Sequence, residues 1–190
     1  MSPPASAAGP DGGTSNAYGI WVTLFGGTLL GPIPSVTLGV NGAPSGLSQT
    51  LPVSVPGLIT ANTLNVSATS TNFGLPSEQI SAQAGTEGLQ GLNGISLLNT
   101  LLNVNAVNSQ CNSNASGSTA ATQIVGLTIG GGAPLNLPNP IPPNSGLTAA
   151  QLGPLAGLVT ITLNKQVAND RPGFNGTNID VIGLQITLLG

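Results

Sequence analysis

Apolar side chains in this chain recur at every second residue, in short runs, and no stretch of ordinary helix length carries them at every third or fourth. Residues 178–190, NIDVIGLQITLLG, place Ile182, Leu184, Ile186 and Leu188 two apart, the spacing that puts them on one face of an extended strand. Such a strand has two edges. Their N–H and C=O groups require partners, from the same subunit or from a neighbour.

The same period runs through the rest of the chain. Residues 17–25, AYGIWVTLF, set Tyr18, Ile20, Val22 and Leu24 on one face and Trp21 with Phe25 on the other, so both faces ask to be covered. A strand at 34–40 is predicted to turn at Asn41-Gly42 and pair with 47–55, which Pro52 makes either an edge or a strand that starts late. Residues 58–69 read as a half-buried strand through Leu64, Val66 and Ala68. Residues 101–111 and 118–129 read as a hairpin about a polar turn at 112–117, and 157–164 as a further strand. Residues 80–85 and 94–99 carry no decisive pattern.

Residues 130–154 hold a triple glycine and Pro134, Pro138, Pro140, Pro142 and Pro143. Extended chain is expected there, with one helical turn at 147–153 as the alternative. Pro3, Pro4, Pro10 and Gly12-Gly13 make residues 1–16 an extended or flexible leader. It contains Ala5-Ser6-Ala7, resembling a signal cleavage site, but no apolar stretch before it, which suggests a mature protein with an added Met1. The reading is a single all-β domain over 17–190, an antiparallel β-sandwich or barrel-like fold with a Pro/Gly-rich connection.

Charge narrows the function classes. Only 4% of residues are charged, against roughly 25% in ordinary soluble domains. The two basic residues, Lys165 and Arg171, form no footprint for nucleic acid. The chain has no histidine, so the usual general base and the commonest metal ligand are missing. No apolar run is long enough for a transmembrane helix. Aromatic residues are 3%, leaving Leu, Val, Ile and Ala to build the core.

The carboxylates Asp11, Glu78, Glu87, Asp170 and Asp180 form no glycosidase-like pair and read as solvated or turn residues. Asn169, Asp170, Asn175, Asn178 and Asp180 supply oxygens that a Ca²⁺ ion would accept, although such residues more often cap turns. An isopeptide between Lys165 and an asparagine is weighed against an ordinary solvated lysine, which is favoured. Asn65, Asn114 and Asn175 head N-glycosylation patterns in an Asn-rich chain. Residues 126–132, GLTIGGG, lack the Lys-Ser/Thr of a phosphate loop. The single Cys111 reads first as a small buried thiol and otherwise as an intermolecular one. No catalytic, cofactor or metal residue is assigned, and neither an enzyme nor a small-molecule substrate is expected.

Taken together, AYG with GP.PSVTL over 17–38, VPGLI at 55–59, N.NAV.SQC...ASGST over 103–119, LTIGG at 127–131 and ITLN.Q over 161–166 resemble the choice-of-anchor P proteins. The resemblance spans nearly the whole chain from Ala17. It implies a secreted or cell-surface protein, mainly actinobacterial, with no established activity. It also implies a continuation past the strand matching 177–189, with a second cysteine to pair with the one matching Cys111.

Charge-poor strands lack the Lys and Glu that normally discourage edge pairing. The expectation is therefore an extracellular structural subunit, a homo-oligomer or homopolymer that forms a filament or surface layer by β-strand addition. The candidate assembly strands are Tyr18, Ile20, Trp21, Val22 and Leu24, and Ile182, Leu184, Ile186 and Leu188. The alternative is a monomeric surface-anchored module whose Asn- and Thr-rich face meets carbohydrate, mineral or ice. A regular flat array would favour it, and Thr60, Thr63, Thr69 and Thr71 show no repeat.

Overall fold

The computed structural model describes residues 16–24, 27–33, 37–38, 44–45, 53–55, 59–72, 79–91, 102–114, 116–168 and 179–189. In chain order the strands begin with β1 (Asn16–Leu24), β2 (Gly27–Ile33), β3 (Thr37–Leu38), β4 (Pro44–Ser45), β5 (Val53–Val55), β6 (Ile59–Ala61) and β7 (Thr63–Thr71). The longer β8 (Gln79–Gly91), β9 (Leu102–Asn114) and β10 (Gly117–Val125) follow, then β11 (Thr128–Ile129), β12 (Ser145–Gly146), β13 (Val159–Ala168) and β14 (Ile179–Leu188). One helical turn, α1 (Ala149–Leu152), forms where Thr148 and Gln151 cap each other's backbone N–H groups.

A five-stranded sheet in the order β12-β13-β14-β1-β2 packs on a seven-stranded sheet in the order β10-β9-β8-β6-β5, to which β7 adds through β8 and β11 through β9. The fold is all-β and sandwich-like, as the period-two alternation predicts. β14 lies between β13, antiparallel, and β1, parallel. Every other strand pair among the described residues is antiparallel.

The edges that the sequence leaves open on residues 178–190 are thus occupied from within the chain. Several strand limits differ from the sequence reading. β2 occupies Gly27–Ile33, a stretch to which the sequence reading assigned no strand of its own, and pairs with β1. Instead of pairing 34–40 with 47–55, the chain pairs β3 with β4 and β5 with β6. The undecided residues 80–85 belong to β8, whose buried positions Ile80, Ala82 and Ala84 include alanines too small to stand out by hydropathy. The turn predicted at 112–117 shrinks, because β9 and β10 pair through Asn114 and Gly117. Residues 94–99 lie outside the described residues.

Alternation along the larger sheet slips by one residue at the same level in successive strands. The slips fall at Asn62 between β6 and β7, Gly88 in β8, Asn105 in β9 and Gly126 after β10. Gly88 and Gly126 have φ of +61° and +67°, which only glycine adopts freely. These positions form a crease across the sheet, with the strand pairing in unbroken register on either side of it. On one side the core is built of large aliphatics such as Leu89, Leu102, Leu127, Ile161 and Leu184. On the other it is built of Ala17, Ala68, Ala82, Ala84, Cys111 and a few larger residues. Gly183 of β14 marks a close approach of the sheets: a Cβ there would collide with Ser109 Oγ and Val107 Cγ1.

Candidate binding face

Beyond the crease, β7, β8, β9 and β10 run in continuous register, and alternation sends every second residue outward. The outward residues line up in rows across the four strands. One row is Asn65, Gly85, Asn108 and Gln123; the next is Ser67, Gln83, Gln110 and Ala121. Then come Thr69, Ser81, Asn112 and Thr119, and finally Thr71, Gln79, Asn114 and Gly117. These rows carry carboxamides and hydroxyls and no charged side chain. Among the described residues the carboxylate of Glu87 stands in the flanking row beside Thr63, Ala106 and Val125.

The inward residues explain why this face can be so polar. Val66, Ala68, Ile80, Ala82, Ala84 and Cys111 are buried, so the strands are anchored from below. The inward hydroxyls of Ser109 and Thr122 lie 3.3 Å apart and satisfy each other. Thr86 Oγ1 and Trp21 Nε1 are buried without a hydrogen-bond partner among the described residues.

The first two rows form the floor and sides of a depression of about 640 Å³ that also touches Glu87 and, beyond β10, Asn139 and Pro140. Asn139 and Pro140 belong to the Pro-rich connection, which closes the β10 side of the sandwich. Its Leu135 N–H donates to Leu127 O (2.8 Å), and Ile141 is buried in the core. Asn164 of β13, 2% exposed and at φ +49°, donates from Nδ2 to Ile141 O at 2.8 Å. Its backbone oxygen accepts from Asn144 N at 2.9 Å. Gln166 Nε2 then bridges to Ala120 O of β10 (3.0 Å) and Asn164 Oδ1 (3.1 Å), tying the two sheets together.

The residues singled out for assembly lie mostly inside the protein. Ile20, Val22, Leu184 and Ile186 are fully buried, as are Ile182 and Leu188 nearly so. Tyr18 and Trp21 are half-buried, and Leu24 pairs with Leu188 at the end of β1. Burial, with the neighbouring Asp180 and Cys111 adding to it, pushes the Tyr18 hydroxyl up to about 12. Cys111 is fully buried between the sheets, so its thiol can meet another molecule only if the sheets part; the buried-thiol reading of the sequence fits this position.

Lys165 is half-buried on β13 opposite Ile182. Asp11, Glu78, Asn169, Asp170, Asn175 and Asn178 lie outside the described residues, and with them most of the suggested Ca²⁺ loop. Among the described residues no group of three or more His, Cys, Asp or Glu could hold a metal ion. Nor is any helix among them long and apolar enough to cross a membrane. Sequence reasoning missed the polar face as a unit. Its signal was the alternation of Asn, Gln, Ser and Thr within β7, β8 and β9, and the rows appear only once the register is known. No family model, curated protein or solved structure matches the chain.

Proposed function

We propose that this chain is an extracellular, non-catalytic binding module that meets neutral, hydroxyl-rich surfaces with the outer face of β7–β10. The reading is carried by the register that sets carboxamide and hydroxyl rows side by side without a charge. Each such group both donates and accepts, as a sugar hydroxyl does. Mineral surfaces, which call for clustered charge, fit this face poorly. The resemblance to choice-of-anchor P proteins and the scarcity of charge support an extracellular location.

The test is co-sedimentation with insoluble neutral polysaccharides and with anionic and cationic polymers over a range of salt. Binding to a neutral polymer that salt leaves unchanged is expected, since screening acts on charges. Binding confined to a charged polymer and abolished by salt would sink the proposal.

A second reading, assembly by strand exchange, is favoured by one observation. β1 pairs with β14 in parallel from Asn16 to Leu24 and carries fully buried Ala17, Ile20 and Val22, so a β1 lent to another copy would bring its full set of contacts. Electron microscopy of concentrated protein decides it: filaments are expected, and dispersed particles alone would rule it out.

A further inference from the structure

The depression on the polar face is a trough with a direction. Its lining crosses the sheet at right angles to the strands, from Asn65 and Ser67 on β7 to Gln123 on β10 and on to Asn139 and Pro140. Three interstrand spacings alone make about 14 Å. The floor is low where Gly85 and Ala121 stand in place of the polar side chains found elsewhere in the two rows. Asn108 leans over the glycine, and a Cβ at Gly85 would stand 2.9 Å from its Oδ1. The missing side chain at Gly85 lowers the floor and leaves room for the Asn108 carboxamide to lean over it.

We propose that this trough is the seat of an unbranched, uncharged hexose chain lying across the strands, an assignment that rests on the binding-module reading above. Three features of the lining select this ligand. Its polar side chains, Glu87 apart, are carboxamides and hydroxyls, so recognition is by paired donors and acceptors. Among the described residues no Lys or Arg lines it, and Glu87 stands at its margin, which disfavours sulfated or uronic polymers. A peptide strand adds along an edge through its backbone, whereas a ligand crossing the outward face meets side chains only. With no aromatic platform among the described residues of the lining, each sugar contributes little, and affinity grows with chain length until the trough is filled.

The experiment titrates a graded series of linear neutral hexose oligosaccharides, from disaccharide to octasaccharide, against the full chain. Gly85→Gln fills the floor, and Ala121→Gln fills it from a different strand, in case the first variant fails to fold. Thr160→Ala, exposed on β13 of the smaller sheet and away from this face, serves as the control. The expected result is an affinity that rises with length to a plateau, falls at least about tenfold in either filling variant, the worth of one or two hydrogen bonds, and is unchanged in Thr160→Ala. Oligosaccharide or polysaccharide binding that a folded filling variant leaves intact overturns the trough and leaves the face as binding surface. If the native chain binds no neutral glycan of any length, both proposals fall.

Discussion

The side-chain amide of Asn105 lies over Gly126: a Cβ on that glycine would sit 2.6 Å from Asn105 Cγ. One strand away, Asn62 covers Gly88 in the same manner, with its Cγ 2.8 Å from the corresponding point. Asparagine and glycine thus alternate along the crease of the larger sheet, each glycine giving the turn of backbone and the room its neighbour's carboxamide occupies.

Gly126→Ala is expected to cost about 2 kcal/mol, from the positive φ together with the collision. In an Asn105→Ala background only the backbone part, about 1 kcal/mol, should remain. Urea midpoints at constant m-value give both numbers. Equal costs in the two backgrounds would show that the asparagine does not press on the glycine.

Gly183→Ala inserts a methyl group between the sheets, against Ser109, Val107 and the backbone oxygen of Gly19 at 3.1 Å. A loss of about 3 kcal/mol is expected, the upper range for overpacking a tight interior. Gly146→Ala, where nothing lies within 4 Å, should stay within about 0.5 kcal/mol of the native chain. Thermal and urea unfolding of the two variants side by side make the comparison.

Asn164→Ala removes the bond to Ile141 O and keeps a Cβ at positive φ, for an expected cost of about 2 kcal/mol. The loss should be local. Hydrogen exchange at the amides of Asn144 and Leu147, which donate to Asn164 O and Ile161 O, should accelerate more than at β8 and β9. Uniform acceleration would mean that Asn164 supports the whole sandwich and not the connection.

Tyr18 is the only tyrosine, so alkaline absorbance reports it alone. Its hydroxyl should ionise near 12 in the folded chain, against about 10 when unfolded, because burial and nearby Asp180 oppose the charge. The folded state then holds the proton more tightly than the unfolded state does. The stability this gives is complete below about pH 10 and is lost as pH rises toward 12. A native titration at the ordinary phenol value would contradict the burial.

Much of the architecture was legible because it rests on residues of strong β-propensity. Val159, Ile161 and Leu163, or Leu184, Ile186 and Leu188, announce a strand by spacing alone. What escaped depends on partners remote in sequence. Nothing local tells that Ile182 and Leu184 sit between β1 and β13, or that Gly27–Ile33 continues as a strand despite its glycines, because pairing overrides propensity there. The polar face was hidden for a similar reason. Asn65 and Gln123 are far apart in the chain, and only the pairing through Gly85 and Asn108 puts them in one row.

The place of β14 between β13 and β1 sets an order of events during biosynthesis. β1 is translated before β14, and one edge of it stays without its partner until Ile179–Leu188 has left the ribosome. The smaller sheet can zip up only through contacts such as that of Thr23 with Thr187, 164 residues apart in sequence, which makes for slow acquisition of structure. Until then Ile20 and Val22 remain unburied, in a chain with few charges to keep its nascent copies apart. A holding factor, or passage across a membrane before folding, would spare the cell that interval.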